Sequence, residues 1–317
     1  MSKKFAFLFP GQGAQEPGML KDVCEAFPEA RKVVDDVTKI TGVDMPKLLW
    51  ESDAATLSRS DNSQLAITTA SLAVMAVLKS KGIEPSASMG FSLGEFPALY
   101  AAGVLSFEDV IKVVRQRGLI MQETCENIAK ANEGHAPGMT AVLGLSPEKV
   151  EELASGVENA YAANLNSPVQ TVVSGTADAL DAIEAKAKEA GARRTVRLSV
   201  AGPFHSPLMQ EAADNFEKAI AGVTFNNPDK ILFSNVTGKK AENGEEIKKN
   251  AVLHLTNPVR WTSEEAVLND LIKESGDEWV LIEPGVGAVL SGLWAKSGYS
   301  ESAGCKAVNS AESIQDL

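Results

Sequence analysis

Met89-Gly90-Phe91-Ser92-Leu93-Gly94-Glu95 is the stretch on which the reading of this chain turns. A short segment, Pro85-Ser86-Ala87-Ser88-Met89, runs into it as a strand, and residues 95–102 read as a helix ending at Gly103. Gly-x-Ser-x-Gly between a strand and a helix is the setting of a nucleophile elbow. The flanking glycines let the backbone turn sharply and push the serine hydroxyl into the open. The bare triplet is a weak signal, since residues of about 7% abundance produce it by chance in roughly one chain in ten of this length. Its placement after a strand and before a helix strengthens it against the plainer alternative, a structural Gly-Ser turn. The first N–H groups of such a helix have no intrahelical partner, so the Leu93 N–H can serve as an oxyanion donor. The second donor must come from another loop. The turn Pro10-Gly11-Gln12-Gly13-Ala14-Gln15, which follows a strand at residues 5–9, leaves the Gln12 N–H available.

Outward from the elbow, helical patterns cover residues 21–38 and 64–79, the second apolar on all sides and therefore buried. Another helix over 107–127 carries Arg115 and Arg117. A polar connection at 129–138 changes the texture. Then come strand 140–145, helix 147–155, strands 159–165 and 170–174, helix 177–190 and strand 193–199. That βαββαβ order is ferredoxin-like. The chain returns through Gly202-Pro203-Phe204-His205 to a helix near 206–220, a strand at 231–235 and a polar hairpin at Asn243-Gly244. Helix 262–274 and strand 279–283 follow, with a small polar tail after Gly298 expected to cover the surface loosely. The fold class expected is α/β: a hydrolase-like parallel-sheet domain (1–128 and 200–317) with an inserted ferredoxin-like subdomain (129–199).

Composition narrows the function. Lys and Arg number 30 against 42 Asp and Glu, a net charge of −12, which argues against nucleic acid as a partner. An anionic substrate then requires a local arginine. Three dispersed cysteines show neither metal spacing nor a disulfide framework. No apolar stretch reads as a membrane span. The apolar start is too short for a signal peptide and leads straight into the Gly-rich turn, so a cytoplasmic protein is expected. A serine nucleophile needs a base, and the chain has only His135, His205 and His254. His135 lies in the polar connection, and His254 precedes Thr256-Asn257-Pro258. His205 ends a Gly-Pro turn at the mouth of the sheet and is favoured on local pattern.

Seven motifs, the elbow and the Gly-rich turn among them, carry a resemblance. They are Phe9-Pro10-Gly11-Gln12-Gly13-Ala14-Gln15, Gly90 to Glu95, Arg117-Gly118 with Met121-Gln122, Asn166-Ser167-Pro168-Val169-Gln170, Gly202 to Met209, Asn257-Pro258-Val259-Arg260-Trp261 and Glu283-Pro284-Gly285. In this order, over nearly the whole chain, they resemble the malonyl-CoA:acyl carrier protein transacylases of type II fatty acid synthesis. The resemblance implies that Ser92 takes the malonyl group and that His205 is the base and then the acid. It implies Gln12 and Leu93 as the oxyanion hole and Arg117 as the partner of the malonyl carboxylate. It also implies that a main-chain carbonyl orients His205, and alignment through Asn257-Pro258 puts that carbonyl at or near His254. Gln64, Asn166, Gln170, Arg193 and Arg194 match pocket or coenzyme A contacts. Acyl carrier protein and malonyl-CoA (or coenzyme A) are the implied partners of a monomer working without cofactor, metal or membrane. Phe91 departs from the family, where His is commoner; catalysis is expected to survive, since the base role falls to His205, and the departure bears only on the fine tuning of hydrolysis or pocket shape.

The chemistry suits these residues. A thioester needs a nucleophile, a base and an oxyanion hole, and two covalent half-reactions give ping-pong kinetics. A carboxylate is met best by the bidentate fork of arginine. Phe204 before His205 resembles the malonyl-selective form of the family, which implies that it would crowd an α-methyl branch. Other readings stay open: a serine thioesterase or esterase, a free-standing acyltransferase of polyketide or malonate metabolism, and a binding module whose glycines only make turns. Malonate release without carrier marks the hydrolase, and carrier preference marks the second. Absence of a covalent adduct marks the third.

Overall fold

The computed structural model describes residues 3–317. Strand β1 (Lys3–Phe9) leads into the Gly-rich turn and helices α1 (Lys21–Ala26), α2 (Pro28–Thr41), α3 (Met45–Trp50), α4 (Ala54–Ser58) and α5 (Ser60–Ser80). The single helix expected at 21–38 is two, because Phe27 is extended (φ −129°) and Pro28 starts the second. Strand β2 (Ala87–Gly90), a 3₁₀ turn (Ser92–Gly94), α6 (Glu95–Ala101) and α7 (Phe107–Ala131) complete the first part.

Next come β3 (Gly138–Leu143), α8 (Pro147–Ser155), β4 (Ala160–Ser167), β5 (Gln170–Gly175), α9 (Ala177–Glu189) and β6 (Arg194–Arg197). The last part holds α10 (Gln210–Ile220), β7 (Ile231–Ser234), β8 (Lys239–Lys240), α11 (Gly244–Leu253), α12 (Trp261–Ser275), β9 (Glu278–Pro284), α13 (Val289–Ser297), β10 (Cys305–Val308) and α14 (Ala311–Gln315).

The large sheet has the order β10-β9-β1-β2-β7-β8, with only β8 antiparallel to its neighbour. Both faces are covered, as parallel sheets require. Alternation along β1 divides the core: Phe7 and Phe9 pack with α2, α5, α6, α7 and α10, whereas Ala6 and Leu8 pack with α12 and α13. Helix α5 meets the length and composition of a membrane span, which the sequence reading did not anticipate. Its most apolar window is 83% buried within the fold, and that is why its residues are apolar all round. The second sheet, β4-β5-β3-β6, is antiparallel. Helices α8 and α9 bury its Val142 and Val173, while Met139, Ala141, Ala163 and Val172 join the main core. The expected α/β class with a ferredoxin-like βαββαβ unit is the fold observed. Two backbone bonds between β4 and Val259 tie that unit to the segment before α12.

Two local expectations are corrected. Asn243-Gly244 is not a hairpin: the Asn243 side chain accepts the Glu246 N–H and caps α11. The hairpin lies earlier, at β7–β8. The tail is not a loose cover either, since β10 adds an edge strand to β9.

Candidate active site

The elbow forms where β2 meets the 3₁₀ turn. A Cβ on Gly90 would overlap the Gly94 carbonyl, and one on Gly94 would overlap the Phe9 carbonyl, so both glycines are sterically required. Ser92 has φ +51°, a left-handed conformation that a residue with Cβ adopts at a cost of about 1–2 kcal/mol. The Gly-rich turn seats directly on the elbow, because Gly11 lies where a Cβ would strike the Phe91 carbonyl.

His205 arrives from the far side, after the small sheet. It too is left-handed (φ +57°). Its turn is held by the Phe204 N–H to Gly202 O bond (3.0 Å), the Ser206 Oγ to Pro203 O bond (2.6 Å) and a bond from Ser174 Oγ to the Phe204 carbonyl. His205 Nε2 lies 2.8 Å from Ser92 Oγ, and Nδ1 lies 2.8 Å from the His254 carbonyl. A carbonyl only accepts, so Nδ1 carries the proton and Nε2 is free to accept from the hydroxyl. Burial, and then the positive charge of Arg117, push the His205 pKa down to about 4; hydrogen bonding to the His254 and Asn257 main chain opposes this. The imidazole is therefore neutral at pH 7, as a base must be. The His254 ring makes no hydrogen bond. That residue bonds His205 only through its main-chain carbonyl, while the two rings lie tilted with centres 5.0 Å apart.

Arg117, on α7, is 1% exposed. Its Nη1 donates to Gln64 Oε1 at 2.8 Å, and its guanidinium stands 5.3 Å from the centre of the Phe96 ring. Nε and Nη2 are buried without a partner. Burial lowers its pKa to about 10, opposed by Glu95, so the cation persists at neutral pH. Burial raises Glu95 to about 7, opposed by a bond from the Asn235 N–H and by Arg117. No carboxylate among the described residues forms a salt bridge with Arg117.

These groups share a cleft of about 250 Å³ lined by Gln12, Phe91, Ser92, Arg117, Asn166, Phe204 and His205, among others. Ser92, His205, Gln12, Arg117 and Asn166 thus come together. Leu93 follows Ser92 directly and is buried, and Gln64 stands behind Arg117. Gln170, Arg193 and Arg194 do not line the cleft. His135 follows the end of α7 and is exposed. Phe91 packs edge-on against Trp261, ring centres 5.5 Å apart, forming an apolar wall beside the serine. The sequence reading missed Asn235, whose Oδ1 accepts the Ser92 N–H at 2.7 Å. The available signal was its position at the carboxyl end of a parallel strand, where α/β sheets gather their sites.

A serine–histidine pair at the carboxyl edge of a parallel sheet, facing a buried arginine, defines the class: an acyl-transfer enzyme on a hydrolase-like scaffold. The acyl transferase domain family matches residues 6–280. The malonyl CoA-acyl carrier protein transacylase of Bacillus subtilis (strain 168) is 39% identical over 297 residues, covering 92% of this chain and 90% of that protein. Among solved structures, the malonyl CoA-acyl carrier protein transacylase of Clostridium perfringens superposes with a TM-score of 0.89 at 32% identity, over 99% of this chain and 95% of that one. A malonyl-transacylase in complex with its type II PKS acyl-carrier protein gives 0.87 at 34% identity, over 98% of each chain. This chain belongs to the malonyl CoA-acyl carrier protein transacylase family and is an acyltransferase.

Proposed function

We propose that the protein moves a malonyl group from malonyl-CoA to the phosphopantetheine thiol of an acyl carrier protein of fatty acid synthesis, through a malonyl-Ser92 intermediate. The observation that carries this is Arg117: a buried cation with two unpartnered N–H groups, in one cleft with a serine bonded to a neutral histidine. A malonyl carboxylate fits that fork, whereas an acetyl group leaves it empty.

Ser92 Oγ attacks the thioester carbonyl while its proton passes to His205 Nε2. The Gln12 and Leu93 N–H groups receive the oxyanion. Collapse expels the coenzyme A thiolate, which takes the proton from Nε2, and the carrier thiol repeats the sequence in reverse. The His254 carbonyl fixes the tautomer throughout. Every step uses groups of the chain itself, and neither a cofactor nor a metal enters the scheme. Free thiols at Cys24, Cys125 and Cys305 suit a reducing cytoplasm, and the reaction is assigned to a monomer there.

Intact mass after malonyl-CoA treatment tests the proposal. Wild type gains one malonyl group, lost again on adding holo acyl carrier protein, and Ser92→Ala gains none. An undiminished adduct on Ser92→Ala overturns the assignment. Release of free malonate that keeps pace with transfer makes the protein a thioesterase. Fatty acid and polyketide carriers compared side by side decide the acceptor.

A further inference from the structure

Asn235 follows β7 at its carboxyl end, fully buried beneath the elbow. Its carboxamide makes three bonds. Oδ1 accepts the Ser92 N–H at 2.7 Å, and Nδ2 donates to the Gly90 carbonyl at 2.7 Å and to Glu264 Oε1 at 2.8 Å. The main-chain N–H of Asn235 donates to Glu95 Oε2 at 2.9 Å. The orientation of the amide is fixed by its partners, since the Ser92 N–H can only donate and the Gly90 carbonyl can only accept. One side chain therefore spans Phe91 and ties the residues on either side of it. The residue it holds by the N–H is the one with φ +51°, a conformation that persists only where the surroundings over-determine it.

We infer that Asn235 is a positioning residue for acyl transfer: its carboxamide clamps Gly90 and Ser92 and so keeps the strained elbow that aims Ser92 Oγ at His205 Nε2. The inference rests on the reading of Ser92 as nucleophile. Asn235 does not line the cleft. Its loss therefore acts on the chemical step and leaves substrate binding alone. Polarity separates a clamp from a space-filler. Aspartate has the shape of asparagine, but it sets an oxygen against the two acceptors that Nδ2 now serves.

The test uses full-length wild type, Asn235→Ala and Asn235→Asp. Each is mixed rapidly with malonyl-CoA, and Ser92 acylation is followed by mass. Each is also treated with phenylmethylsulfonyl fluoride, a serine reagent carrying no carboxylate. First-order rate constants do not depend on the amount of folded protein, so partial unfolding of a variant does not obscure them. The expected result is a loss of about 100-fold in the saturated acylation rate, the scale of a misplaced reacting group. Half-saturation should stay within about twofold, and inactivation by the reagent should slow in parallel. If wild type acquires no adduct, the nucleophile assignment itself falls. If wild type is acylated and both variants keep their rate within about threefold, the clamp is wrong. A raised half-saturation at unchanged rate refutes it equally, since Asn235 would then serve binding.

Discussion

Replacing Arg117 by alanine should convert a malonyl-selective enzyme into an indifferent one. In the wild type, Nη1 is engaged by Gln64, while Nε and Nη2 have no partner in a site that is 1% exposed. A bound malonyl carboxylate would complete this set as a buried, bidentate ion pair. Removing one member of such a pair leaves the other charge buried alone, at about 3–5 kcal/mol. At 1.36 kcal/mol per decade, kcat/KM for malonyl-CoA should fall roughly 150- to 5,000-fold. Acetyl-CoA brings no carboxylate, so in the wild type it leaves a buried cation unpaired. Arg117→Ala removes that penalty, and acetyl transfer should hold steady or rise. Arg117→Lys keeps the charge without the fork and should fall between the two. The assay is kcat/KM for both thioesters with holo acyl carrier protein, on protein whose unfolding midpoint has been checked. Parallel losses for malonyl and acetyl transfer, or a malonyl loss below about tenfold, would refute the carboxylate role.

Three further outcomes are expected. His205 acts only when neutral, and its pKa of about 4 is set first by burial and then by Arg117; kcat/KM should therefore stay level from about pH 8 to about pH 5 and fall below that as the ring protonates. A carboxylate on Arg117 offsets the second cause, so the acid limb in kcat should lie at higher pH than the limb in kcat/KM, and a kcat/KM limb at the ordinary histidine value of 6.5 would contradict this. Gly94→Ala drives a methyl group into the Phe9 carbonyl; overpacking of this kind costs about 1–3 kcal/mol or more, readable as a lower urea midpoint, and a midpoint equal to wild type would show the close approach to be dispensable. Phe91→His should keep turnover within a few-fold while lowering stability by about 1 kcal/mol, the worth of its edge-on contact with Trp261, as a thermal scan and a transfer assay on the same preparation would show.

The parts legible in the sequence are those whose cause is local. Gly90 and Gly94 announce the elbow because only glycine fits there, and the period changes between 140 and 199 announce the second sheet. What stayed hidden depends on distant segments. The third member beside Ser92 and His205 is a main-chain carbonyl, which no side chain advertises; only the family likeness points to His254. Arg117 reads on its own as one more charge on a helix, and its burial depends on α5 and α6 closing over it. Asn235 reads as the polar end of a strand until the elbow is brought above it. The edge strand at Cys305–Val308 has too few residues to show a period, and Asn243-Gly244 suits a helix cap as well as a turn.

Strand β1 lies inside the large sheet, between β2 and β9. Its Phe9 and the first residue of β9, Glu278, are far apart in the chain, so β1 is synthesised long before one of its two neighbours exists. At ribosomal rates of about 5–20 residues per second, the delay is on the order of tens of seconds. Over that time Phe5-Ala6-Phe7-Leu8-Phe9 has an open edge toward the missing strand, and such an edge invites pairing with another chain. Lys3 and Lys4 at its start place charge where a second copy would dock. Closing the sheet on this side thus waits for a late strand to come in beside an early one, with β10 added after it, and the yield of active protein in cells should depend on how well the nascent chain is shielded until β9 emerges.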